Sequence, residues 1–297
     1  MKIAVTGSNG LLGQHLVQLL LQNGYLIVAI GKGADRSSFS EHTSYRYYNV
    51  DLTDQSSLEK TIRKEAPAVL IHGAAITQVD ECELNQEKCE QVNVQGTINA
   101  LTAARFCCQH FIYISTDFVF DGSKGNYSEE DTAGPISFYG RTKQLAEEQV
   151  ISETIPWAIV RTCLVYGNTI SGTRNNIITW VKNELEQGKK IKVVTDQFRT
   201  PTYVEDLAKG IMLIIQKKST GIFHISGNTL LTPYDMAIQT ADFFGLPKQL
   251  ITKVTADVFS QPAKRPPKTG FNISKAQSIL GFAPLSFSEG LNKMFNG

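Results

Sequence analysis

A chain of 297 residues, 42% hydrophobic and 19% charged, can bury a large core, and its composition is that of an ordinary soluble globular protein. The formal net charge is +1 and no block of like charges occurs, so nothing in the electrostatics points to nucleic acid or to an anionic membrane. No apolar run approaches the roughly 20 residues that a membrane helix needs, and "MKIAVTGSNG" reads as a buried strand and a turn rather than a signal peptide, which makes a cytoplasmic address the expectation.

The first strand is "KIAVTG", and a helix follows over 11–22 with Gly24 placed to end it. Between them lies "GSNGLLG", with Gly7, Gly10 and Gly13 spaced GxxGxxG rather than GxGxxG. A glycine-rich turn between a strand and a helix lets backbone approach a pyrophosphate at the positive end of that helix. Dinucleotide binding is therefore expected here, with Asn9, Leu11 and Leu12 filling the loop between the glycines. The second strand, "LIVAIG", ends in Gly31 and Lys32, where an acidic residue would grip the ribose of NAD. A cation there suits the extra phosphate of NADP, with Arg36 as a second one, whereas nearby Asp35 keeps NAD open.

Strands "YRYYNV" and "AVLIHGAA" come next, then a helical period over 85–108 and a fifth strand, "FIYIST". Its end carries Ser115, Thr116 and Asp117, where a group that polarises a carbonyl belongs. The helix over 138–152 opens with "FYGRTK". Positions four apart share a helix face, so Tyr139 and Lys143 bring a phenol and an ammonium together. A fixed positive charge lowers the phenol from its reference pKa of about 10 and equips it to donate a proton. "WAIVRTCLVYG" reads as a sixth strand. This alternation, with apolar runs so continuous, predicts an α/β, doubly wound parallel sheet covered on both faces and spanning 1–167, a Rossmann-like fold.

Beyond Gly167 the pattern loosens: a helix near 176–187, a short "IKVV", a helix through "YVEDLAKGIMLIIQ", a strand "IFHIS", and a helix opened by Thr232, Pro233 and Asp235. A proline-rich connector, "SQPAKRPPKTG", and two short helices close the chain. Residues 168–297 are expected to form mostly a smaller substrate lobe, with segments of about 195–226 returning to the main sheet. Cys82, Cys89, Cys107, Cys108 and Cys163 show no CxxC pair, and the five histidines are scattered, so no metal site is expected.

Taken together, "TGSNGLLG", "VDLTD", "HGAA", "VNVQGT", "ISTDFVFDG" and "YGRTK" resemble an extended short-chain dehydrogenase/reductase. Continued through "VRTCLVYG", "VVTDQFRTPTYVEDLA", "GIFHISG" and "AKRPPKTGFNISK", the chain resembles the dTDP-4-dehydrorhamnose reductase family over nearly its whole length. The resemblance implies reduction of a nucleotide-linked 4-keto-6-deoxy sugar by NADPH, with NADH as the alternative, on the way to dTDP-rhamnose. It implies Tyr139 as general acid, Lys143 on the nicotinamide ribose, and Thr116 bonding the substrate oxygen. Asp51 and Leu52 would lie by the adenine, Ala74, Ala75 and Thr77 along the ribose and phosphate path, and Asn93 would steady the active-site helix. Asp117 is a candidate substrate contact, and Arg199 and Arg265 are candidates for a diphosphate. A homodimer is left open, since no stretch marks an interface.

Two departures bear on the sugar. Leu164 stands where the family usually carries an aromatic residue, and Thr269 and Asn272 stand where it carries serine and aspartate. Two other functions use the same scaffold: a nucleotide-sugar epimerase or dehydratase that retains NAD, and a non-catalytic NADP-binding partner subunit.

Overall fold

The computed structural model describes residues 1–168 and 176–296. In chain order, β1 (Lys2–Thr6), α1 (Leu11–Gln22), β2 (Leu26–Gly31), β3 (Tyr45–Asn49), α2 (Gln55–Glu65) and β4 (Val69–His72) open the fold. Next come α3 (Val79–Leu84), α4 (Gln86–Glu90), a π turn over Gln91–Gln95, α5 (Gly96–Ala104), β5 (His110–Thr116), a 3-10 turn over Asp117–Val119, α6 (Phe138–Ile151) and β6 (Trp157–Thr162). The later part holds β7 (Val165–Tyr166), α7 (Ile177–Glu186), β8 (Ile191–Val194), β9 (Thr202–Tyr203), α8 (Val204–Lys217), β10 (Gly221–His224), α9 (Pro233–Phe244), β11 (Ile251–Val254) and α10 (Phe287–Asn296). No described helix is long and apolar enough to cross a membrane.

Seven strands form one parallel sheet in the order β10-β6-β5-β4-β1-β2-β3. Side chains alternate across a strand, so the apolar runs of β1 and β2 feed two cores at once. Ile3, Val5, Ile27 and Ala29 face one core, built with Leu16, Val17 and Leu20 of α1 and Leu207, Ile211 and Ile214 of α8. Ala4, Val28 and Ile30 face the other, with Leu58 and Ile62 of α2, Ala100 of α5 and Ala146 of α6. The expected doubly wound, Rossmann-like fold is thus the one observed. The order reverses between β1 and β4, so the carboxyl ends of those strands flank the crevice where such sheets take their ligands.

Three local differences from expectation have physical reasons. The sixth strand stops at Thr162, because Leu164 adopts a left-handed φ of 40° that no strand continues through; β7 then restarts and pairs with β9. The stretch 85–108 is broken by the π turn around Asn93, and its helix ends at Ala104. "SKAQSILG" forms a π turn over Ala276–Leu280 instead of a regular helix. In the later region β8 leaves the main sheet to pair in parallel with β11, whereas β10 lies against β6 at the sheet's edge. Of the span expected to form the second lobe, residues 169–175 and 297 lie outside those described. Thr232 caps α9 and exchanges hydrogen bonds with Asp235, as its sequence suggests.

Candidate active site

The loop after β1 is shaped by backbone crowding. Gly7 has φ +72°, and a Cβ on it would sit 2.8 Å from the Ala74 nitrogen; a Cβ on Gly13 would sit 2.2 Å from the Gly7 oxygen. The Gly10 amide donates to the Gly7 oxygen at 2.9 Å, closing the turn. Helix α1 then begins with no side-chain cap and no acidic residue in its first turn, leaving the positive end of its dipole open around Leu11 and Leu12. Ala74 donates its amide to Thr6 Oγ1, so the segment after β4, which continues through Ala75 and Thr77, runs beside this loop. Both belong to the carboxyl edge of the sheet. An anionic dinucleotide matches that combination of close backbone and an uncapped helix end.

Asn9 ties the loop to the next one. Its Nδ2 donates to Tyr47 Oη and to the Ala34 oxygen, and its Oδ1 accepts from the Arg36 amide. Lys32 extends into solvent and pairs with Asp51 at 2.6 Å, which together with the Thr53 amide draws the Asp51 carboxyl down to about 2. Asp35, which left NAD open in the sequence, turns its Oδ1 to the Ser37 amide and the Tyr45 hydroxyl instead. Leu52 is buried against Gly96, and its oxygen accepts from Asn99 Nδ2 at 2.8 Å. Asn93, inside the π turn, accepts from the Ile76 amide through Oδ1 and donates to the Ile76 oxygen and Thr142 Oγ1 through Nδ2. It therefore joins the segment after β4 to α6. π turns inside helices often mark such positions.

The chemistry-bearing residues meet where β5 ends and α6 begins. Ser137 caps α6 by accepting from the Gly140 amide, which sets Tyr139 in the first turn beside the Thr116 hydroxyl. A Cβ on Gly140 would lie 2.1 Å from the Phe118 oxygen, so only glycine lets the helix approach the turn after Thr116 this closely. The sequence signals Gly140 only by its place inside "YGRTK", between Tyr139 and Lys143. One turn on, Lys143 Nζ donates to the Ile114 oxygen at 2.7 Å and lies 4.2 Å from the centroid of the Tyr113 ring. The electrostatics correct one expectation. Burial raises the Tyr139 phenol above its ordinary value and the adjacent Thr116 hydroxyl acts the other way, while Lys143 turns its ammonium to the Ile114 oxygen. Burial also pulls Lys143 down to about 7, opposed by the Glu147 carboxylate one turn further along. Glu147 in turn holds Arg161 through a buried pair at 2.7 Å.

The residues expected on the substrate side divide. Asp117 is buried, accepts from Thr116 Oγ1 at 3.1 Å, and turns its other oxygen to Thr269, Cys163 and Arg199. Arg199 is buried as well, and its guanidinium is spent on the oxygens of Phe198, Pro266 and Pro267. In this structure both are committed inside the protein: the Asp117 carboxylate is taken up by internal donors, and Arg199 offers no free guanidinium to a diphosphate. Arg265 differs. It forms a two-point pair with Asp80 of α3, at 2.7 and 3.1 Å, and lines a cavity of about 430 Å³ together with Asn176, Ile177, Trp180, Lys192 and Gln197. Asp80 has no signal in the sequence, because its partner is 185 positions away.

The whole chain, residues 1–297, matches the family model described as RmlD substrate binding domain. The chain belongs to that family. Among relatives of this RmlD-family chain, the spore coat polysaccharide biosynthesis protein SpsK of Bacillus subtilis (strain 168) is 31% identical, over 98% of this chain and 96% of that protein. Methionine adenosyltransferase 2 subunit beta of Pongo abelii is 30% identical, over 94% of this chain and 82% of that one. The crystal structure of dTDP-4-dehydrorhamnose reductase from Bacillus anthracis str. Ames, in complex with NADP, superposes with a TM-score of 0.86 at 27% identity, covering 99% of this chain and 98% of that one. Family membership places the chain among RmlD-like reductases and supports a nicotinamide dinucleotide as the ligand of the glycine loop.

Proposed function

We propose that this protein reduces the keto group of a nucleotide-linked 4-keto-6-deoxy sugar of the dTDP-4-dehydrorhamnose type, with NADPH preferred over NADH. The observation that carries the reading is the meeting of Thr116, Tyr139 and Lys143 at the carboxyl end of β5 and the first turns of α6, on the sheet edge that also holds the glycine loop. NADPH bound along that edge supplies a hydride to the carbonyl carbon. Tyr139 gives its proton to the carbonyl oxygen; a phenol held above its ordinary pKa keeps that proton at neutral pH until the oxygen becomes basic enough to take it. Thr116 stabilises the growing negative charge on the oxygen. Lys143, anchored on Ile114, holds the helix turn that carries the phenol, and its ammonium lies ready for the ribose hydroxyls. Lys32 and Arg36 bracket the loop after β2, where a 2′-phosphate has cations to meet, and Asp35 is turned away from it. The cavity beside Arg265 gives the nucleotide end of the substrate a cation and the Trp180 ring.

The test is consumption of NADPH, with NADH alongside, when the purified protein meets dTDP-4-dehydro-6-deoxy-L-mannose, repeated with Tyr139→Phe. Turnover lowered by about two to four orders of magnitude in the variant supports the assignment. NADPH binding without turnover of this or related keto sugars transfers support to a second reading, a non-catalytic NADP-binding partner subunit, which the relation to the methionine adenosyltransferase beta subunit favours.

A further inference from the structure

We propose that Thr269 is a positioning residue for the catalytic hydroxyl, acting through Asp117; the inference rests on the reductase reading given above. Thr269 lies near the end of the proline-rich connector, stands 152 positions beyond Asp117, and has no exposed surface. Its hydroxyl donates to Asp117 Oδ2. The same oxygen receives the Cys163 thiol at 3.3 Å and faces Arg199 Nε at 3.6 Å. Asp117 Oδ1 accepts from Thr116 Oγ1 at 3.1 Å. One carboxylate thus has two sides. The first holds the hydroxyl proton of Thr116, and the second is loaded with donors from the strand end after β6, the segment before β9 and the late connector.

The loading has a consequence for catalysis. Thr116 has one hydroxyl proton, which either stays on Asp117 or turns to a substrate oxygen as that oxygen becomes negative. A buried carboxylate with few donors is a strong acceptor and keeps the proton, because leaving it unsatisfied is costly. Donors on Oδ2 draw charge away from Oδ1 and fix the carboxylate plane, whose terminal torsion is otherwise loose. Thr269 therefore weakens the hold of Asp117 on Thr116 and leaves that hydroxyl free to swing to the substrate. A serine supplies the same donor. A valine of the same shape supplies none.

The experiment is a kinetic cycle on the full chain with Thr269→Val, Thr269→Ser, Thr116→Ala and the Thr116→Ala/Thr269→Val double variant, with dTDP-4-dehydro-6-deoxy-L-mannose and NADPH, and with melting temperatures for all four. The expected result is a kcat lowered about tenfold in Thr269→Val with the KM for NADPH unchanged, and recovery to within about twofold in Thr269→Ser. The double variant should be no slower than Thr116→Ala alone, since Thr269 acts only through Thr116. Thr269→Ala serves as the second hydroxyl-free variant should valine misfold. A Thr269→Val enzyme within twofold of wild type, or a loss that multiplies in full on the Thr116→Ala background, overturns the assignment. Wild-type protein without turnover overturns the reductase reading itself; the melting shifts then judge the link separately. Non-additive shifts uphold the coupling of Thr269 to Thr116, and additive ones overturn it.

Discussion

Replacing Gly140 by alanine tests whether the approach of α6 to the turn after Thr116 is what assembles the site. The added Cβ would meet the Phe118 oxygen at 2.1 Å, its carbonyl carbon at 3.0 Å and Pro135 Cβ at 2.9 Å. Two of these atoms are backbone, so no side chain can swing aside. Ordinary contact begins near 3.4 Å, and the start of α6 must therefore retreat by about 1.3 Å, taking Tyr139 away from Thr116. Overpacking of this kind costs about 2 kcal/mol, which lowers the melting temperature by roughly 3 °C in a chain of this size. A displacement of about 1 Å at a proton-transfer site lowers turnover by about 100-fold. The glycine loop lies at β1 and α1, so NADPH affinity should stay within about threefold of wild type. The assay pairs NADPH titration with keto-sugar turnover and a thermal melt. A Gly140→Ala protein that turns over within threefold of wild type, with an unchanged melt, would refute the reasoning.

Gly13→Ala places a Cβ 2.2 Å from the Gly7 oxygen, so NADPH affinity should fall by about 100-fold in a titration of cofactor fluorescence; retained affinity would mean the loop does not carry the pyrophosphate. Lys32→Ala should weaken NADPH binding by about tenfold and NADH binding by less than about twofold, read from paired titrations, and equal losses would remove Lys32 from the 2′-phosphate. Burial holds His72 and His224 neutral, each drawn down to about 3 from an ordinary 6.5. Folding therefore excludes their protons: the stability they contribute is complete above pH 6.5 and is lost as pH falls from 6.5 toward 3, by about 1.4 kcal/mol per pH unit for each ring. Denaturant melts between pH 7 and 5 should show this slope, His72→Gln should reduce it, and a flat profile over that range would contradict the burial argument.

The parts of this molecule legible in its sequence are those encoded by spacing along the chain. Alternating apolar runs predict β1 to β6 and their helices, the glycines locate the turn before α1, and a four-residue interval places Tyr139 and Lys143 on one face of α6. What spacing cannot convey is the choice of partner across the fold. Arg199 looks like a phosphate ligand in "DQFRTPT", but 82 positions earlier stands Asp117, and 67 positions later the Pro266 oxygen, which together claim its guanidinium. The Tyr139–Lys143 pair suggests a lowered phenol because neighbours in sequence imply a charge; the raised value arises from burial, and burial is set by the packing of Cys82, Cys89 and Phe118 from other elements. The break at Leu164 is equally silent, since nothing in leucine announces a left-handed backbone.

The sheet order also dictates when the fold can form during synthesis. Residues made first become β1, an interior strand beside the central β4, and the edge strand β10, which pairs Phe223 with Val160, emerges some sixty residues after β6. Until then β6 is an unpaired edge, and α1 lacks the cover of Leu207, Ile211 and Ile214 from α8. A nascent chain halted near Gly167 therefore holds a sticky, half-covered sheet rather than a finished nucleotide-binding module. The practical result is that the first 167 residues should not be expressed alone: the piece that looks most like an independent domain depends on a strand and a helix supplied by the other half, and a fragment meant to retain the fold has to run at least through His224.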